Sequence, residues 1–169
     1  MNKFSLQSII LAFAVSLNAF LITDVQAQKR DHLTEQEADQ VREEQDIDRR
    51  IDVFIKAADR RLLVLTHPDA VQPKKEEEKW GPLPKGTMAE LLHDYKNILD
   101  EAEEKLDDAY TRLHKNPIVV KALTHIKDAA KRQLEQLRTL KSKVSNQKEE
   151  IALAEAIEEA ENVTKGEMK

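Results

Sequence analysis

Glu90 and His93 stand three residues apart, the Glu-x-x-His spacing at which helical di-iron proteins hold their metals. Such a centre needs a second pair and two more inward glutamates, and the sequence contains no second Glu-x-x-His. A surface pair near a helix start accounts for these residues, so no metal is expected. His32, His67, His114 and His125 form no His-x-x-x-His face. Haem in a helical protein needs axial Met or His, and beyond residue 27 the methionines are Met88 and Met168, both near segment ends. Cysteine is absent, which removes disulfides, thiolate metal sites and Cys-linked haem. Ser142 and Ser145 are the serines that remain after residue 27, and neither lies in a glycine-flanked nucleophile elbow. Carboxylates are too numerous for any acid/base pair to stand out. The expectation is a protein without catalytic residues and without a cofactor.

Two stretches could bind. Trp80-Gly81-Pro82-Leu83-Pro84 places the lone tryptophan in a Pro-rich loop. The ring either caps the helical core or meets a partner, and the candidate partner contacts are Trp80, Pro82, Leu83 and Pro84. The basic stretch Lys121, Lys127, Lys131, Arg132, Arg138, Lys141 and Lys143 could face an anionic surface. Acidic neighbours within the chain would neutralise it, and that is the expected outcome. A net charge of −5 speaks against nucleic acid as a partner.

These residues need elements to position them. The chain opens with Lys3, an apolar run from Ile9 to Ile22 and Val25-Gln26-Ala27, the pattern of a secretory signal peptide cleaved after Ala27. The run is shorter than the roughly 20 residues of a spanning helix, so no membrane span is expected after cleavage. Cleavage leaves 142 residues, enough for one domain over 28–169. That domain has four aromatic residues, Phe54, Trp80, Tyr95 and Tyr110, so its core must be Leu, Ile, Val and Ala, as in helix-on-helix packing.

Prolines and glycines avoid the stretches 35–65, 88–115 and 118–163, which predicts long helices there. Thr34-x-x-Glu37 and Thr87-x-x-Glu90 are capping boxes for the first two. Ile47, Ile51, Phe54, Ala58, Leu62 and Leu65 make one apolar face. Within it, Ile47-Asp48-Arg49-Arg50-Ile51 is echoed as Ala58-Asp59-Arg60-Arg61-Leu62, read as a charged flank beside the core. Met88, Leu91, Leu92, Tyr95, Ile98, Leu99, Ala102, Leu106, Ala109, Tyr110 and Leu113 make the strongest stripe. Asn116-Pro117 opens the third stretch, which would be about 70 Å long unless it breaks. Ser145-Asn146 supplies the break, giving helices over about 117–144 and 147–163.

Charge runs net −5 over 88–114, net +6 over 117–148, and six acids with no base over 149–163. A basic helix thus falls in sequence between two acidic ones, and antiparallel neighbours would place opposite charges along both seams. The expected fold is all-α, an antiparallel bundle of three long helices plus a shorter fourth, with residues 66–87 as a linker.

Leu33-Thr34-Glu35-Gln36-Glu37 resembles the Leu-Thr-x-x-Gln signature of small periplasmic stress chaperones, with Glu37 where that family has Gln. Over its full length the chain resembles exported all-helical bacterial proteins of uncharacterised function. The second resemblance carries no site residues. Together they imply a periplasmic or secreted protein. The leading reading is a non-catalytic binding or scaffolding protein with a protein or envelope partner. The alternatives are a chaperone-like holdase with an exposed apolar face, or a metal-binding bundle.

Overall fold

The computed structural model describes residues 31–114 and 116–166; the expected signal peptide and its cleavage point lie outside them. Six α-helices form among the described residues: α1 Glu35–Glu43, α2 Ile47–Thr66, α3 Lys74–Trp80, α4 Met88–Leu113, α5 Pro117–Thr139 and α6 Gln147–Lys165. Local chemistry sets most of the boundaries. Thr34 and Thr87 each take the backbone N–H three residues on, while Glu37 and Glu90 reach back, completing both capping boxes. The Asn116 side chain accepts from the Ile118 N–H, with Pro117 in the first turn. Asn146 accepts from Glu149, starting α6 after a short 3-10 helix, Leu140–Lys143. No helix among the described residues is long and apolar enough to cross a membrane.

The first stretch departs from the expected single helix. The chain turns extended at Glu44 and Asp46, and the freed Glu44 carbonyl accepts from Arg50 Nε and Nη2 at 2.9 and 2.7 Å. The reason lies further along the chain. On one straight helix Glu37 and Arg61 would stand about 36 Å apart, yet Arg61 Nη1 lies 2.6 Å from both Glu37 carboxylate oxygens. The break lets α1 fold back onto α2. The linker also differs from a plain loop, because α3 forms inside it and packs against α1.

The four long helices share one apolar core, with Phe54, Leu62, Leu92, Tyr95, Ile98, Ala122, Leu137 and Ala156 fully buried. Helix α2 packs on α4 and α5, and α6 packs on the same two, while α4 and α5 make only a minor contact. Of the two seams expected from sequence order, basic α5 does pack on acidic α6, but its contact with acidic α4 is only minor, and α4 meets acidic α6 as well. The main partner of α5 on the other side is α2. Lys121 meets Asp48 at 2.8 Å, His125 meets Asp52 at 3.0 Å, and Arg132 meets Asp59 at 2.9 Å, always 73 residues apart. A constant offset means that α2 and α5 run in the same direction. The echoed aspartates, Asp48 and Asp59, are two rungs of this ladder. Exposed rungs contribute about 0–1 kcal/mol each, so they fix register more than stability.

Candidate functional site

A cleft of about 840 Å³, open to solvent, lies between α2 and α5. Lys56, Asp59, Arg60 and Leu63 recur at helical steps along the α2 wall, and Arg132, Gln136 and Thr139 do the same on α5. Lys143, from the 3-10 helix, also lines it, and its Nζ donates to the last carbonyls of α2, Leu65 at 3.3 Å and Thr66 at 3.1 Å. Asp59 joins the cleft to the core. It accepts from Arg132 at 2.9 Å and from Gln133 Nε2 at 2.8 Å, and Gln133 in turn accepts from the buried Tyr95 hydroxyl at 3.0 Å. Burial first, and then the Asp59 charge, hold the Tyr95 hydroxyl well above its ordinary pKa, so it remains a donor.

Behind the α2 wall lies a buried ionic cluster. Glu37, Arg60 and Arg61 are 0, 3 and 1% exposed. Arg61 also donates to the Ala57 carbonyl at 3.0 Å and, through Nη2, to the His32 carbonyl at 2.7 Å. His32 in turn meets Glu101 of α4 at 2.8 Å, and this contact holds the Glu101 carboxyl below its usual range. Arg60 Nη2 donates to the linker carbonyls of Gly81 and Pro82 at 3.2 and 2.5 Å. Arg60 Nε lies 3.0 Å from Glu37 Oε1 but is not aligned for a hydrogen bond, and Nη1 has no hydrogen-bond partner among the described residues. Burial lowers the pKa of this guanidinium, with the Glu37 charge opposing. One buried carboxylate thus serves two buried guanidiniums.

Sequence reasoning treated Arg60 and Arg61 as a solvated flank. A signal was present: Arg61 falls in the apolar stripe, at the step between Ala58 and Leu65. Its charge hid that placement. Glu37 was read as a cap, which it is, but its carboxylate also holds the cluster together.

The linker residues named from sequence are mostly drawn inward. Trp80 is 7% exposed and Pro84 is buried, Leu83 is partly covered, and Pro82 is exposed. The Lys79 ammonium lies 5.1 Å from the Trp80 ring centre. Gly81 allows the close passage. Its φ is +69°, and an added Cβ would fall 2.7 Å from Gln36 Oε1 on α1. The ring is therefore buried, and the part of the loop left for contact is around Pro82 and Leu83. Glu90 is occupied by its cap, with Thr87 N–H donating at 2.7 Å, and His93 is exposed. Among the described residues no three His, Cys, Asp or Glu side chains cluster as metal ligands.

The other ionisable feature is the α4–α6 seam. Burial, then the charge and hydrogen bond of Asp100, then Glu103, push the Glu159 carboxyl up to about 7, with Lys96 acting against them. Lys96 pairs with Asp100 at 2.5 Å.

Searches against protein-family models, characterised proteins and solved structures find no match to this chain.

Proposed function

We propose that this is an exported, non-catalytic helical protein of the cell envelope that works by binding a polar partner in the α2–α5 cleft. The observation that carries the reading is the cleft lining, in which Lys56, Asp59, Arg60, Arg132 and Lys143 surround a single large apolar side chain, Leu63. A holdase for unfolded chains needs a broad apolar concavity, because its clients offer apolar surface. This lining favours charged or hydrogen-bonding partners instead. The signal-peptide pattern of the sequence supports export, and without cysteine packing alone must stabilise the fold.

The test places a photo-crosslinking amino acid at Gln136, inside the cleft, in the full chain expressed in an export-competent bacterial host. The comparison site is Lys131, exposed on the same helix and absent from the cleft lining. An envelope-fraction adduct that forms from position 136 and not from 131 is expected. Equal adducts from both positions, or none from 136, would remove the cleft as the binding site.

A further inference from the structure

We infer that the α2–α5 cleft receives an anionic oxygen group, a phosphate or carboxylate, from a small ligand or a lipid headgroup. The inference rests on the reading of the cleft as the binding site, and its charge balance carries it. Four cations line the cleft, Lys56, Arg60, Arg132 and Lys143, against two anions, Asp59 and Glu135. Both anions are engaged: Asp59 holds Arg132 at 2.9 Å, and Glu135 holds Arg138 at 2.6 Å. Lys56 pairs with Glu76 of α3 at 2.6 Å.

Two positive charges are left over. Lys143 meets only neutral carbonyls among the described residues. The second excess charge is buried, because Arg60 and Arg61 share the single carboxylate of Glu37 at 3.0 and 2.6 Å. Arg60 forms part of the cleft wall while 3% exposed, and its Nε and Nη1 lack hydrogen-bond partners among the described residues. An uncompensated buried cation is costly, and its field falls into the neighbouring cleft with little screening. An anion seated beside Lys143 would offset its charge directly and the buried Arg60 charge behind the wall through the field alone. A cation or an uncharged apolar ligand would offset neither. The acidic balance of the whole chain makes this local surplus more telling, since the net charge of −5 would repel anions elsewhere.

The probe is inorganic phosphate, titrated into the mature chain at low ionic strength and followed by backbone amide NMR. Saturable shifts confined to residues near 56–67 and 132–143 are expected. Lys143→Gln should weaken the apparent Kd about fivefold, the scale of one partly exposed charge contact. Thr139→Glu, which adds a carboxylate to an exposed wall position, should abolish the saturable shifts. Lys131→Gln removes the same charge outside the cleft and should leave Kd unchanged. All three positions are exposed, and circular dichroism at 222 nm checks that each variant keeps its helices. Flotation with phosphatidylglycerol vesicles, against phosphatidylcholine vesicles, assigns the source. Flotation lost in Thr139→Glu identifies a headgroup; phosphate binding without flotation identifies a free anion. Non-saturable shifts, or equal losses in Lys131→Gln and Lys143→Gln, would overturn the inference. If phosphate fails while the position-136 crosslink persists, the anion class falls and the cleft stands. If both fail, the binding reading falls as well.

Discussion

Glu37→Gln isolates the charge on which the buried cluster depends. Glutamine keeps the shape and a carbonyl oxygen, so the Thr34 N–H that donates to Glu37 Oε2 at 2.9 Å retains an acceptor. The charge is lost, and two guanidiniums that are 3 and 1% exposed then face a neutral amide. Removing one partner of a buried ion pair costs about 3–5 kcal/mol. With an unfolding entropy of about 2.1 cal/mol/K per residue, a domain of about 140 residues loses about 14 °C in Tm for a cost of about 4 kcal/mol. Arg61→Met makes the complementary change. It gives up the bonds to Ala57 and His32 but leaves Arg60 and Glu37 balanced one to one. The charge count therefore requires Glu37→Gln to be the more damaging substitution. Urea melts followed by circular dichroism at 222 nm suit the measurement, because urea, unlike guanidinium, does not screen charge. A cost below about 1 kcal/mol for Glu37→Gln, or an equal or larger cost for Arg61→Met, would refute the view that one carboxylate compensates two cations.

The α4–α6 seam makes stability depend on pH. The Glu159 carboxyl rises from 4.5 to about 7 on folding, so the folded state holds the proton more tightly. Its contribution is complete below pH 4.5 and is lost as pH rises through 7. At about 1.4 kcal/mol per tenfold change in proton affinity, the ceiling is about 3 kcal/mol. Glu159→Gln should flatten this stretch of the pH–stability curve and stabilise the protein at pH 8; an unchanged slope between pH 5 and 7 would count against the seam. In the core, Leu99 and Leu106 are 1 and 2% exposed, and truncating either to alanine should cost about 2–5 kcal/mol. Denaturant melts showing losses under about 1 kcal/mol would mean that the α4 stripe does not carry the core.

Much of the local structure was legible in the order of residues, for a physical reason. A cap is an interaction between neighbours: Thr34 with Glu37, Thr87 with Glu90, Asn116 with Ile118, Asn146 with Glu149. Such contacts are decided within one turn of chain, so the starts of α1, α4, α5 and α6 follow from sequence. The apolar stripe of α4 follows as well, because helical periodicity alone aligns Leu92, Tyr95, Leu99 and Leu106. Only the tertiary structure could decide what each helix packs against. Sequence order suggested acidic α4 beside basic α5, but the packing sets α5 along α2 through pairs 73 residues apart. The break at Glu44, the burial of Arg60 and Arg61, and the inward turn of Trp80 all depend on α1 and the linker closing over α2. No local propensity encodes a contact between Glu37 and Arg61, 24 residues apart. The cleft has the same origin: its walls are ordinary solvated helix faces in the sequence, and their charge surplus acquires meaning only when α2 and α5 lie side by side.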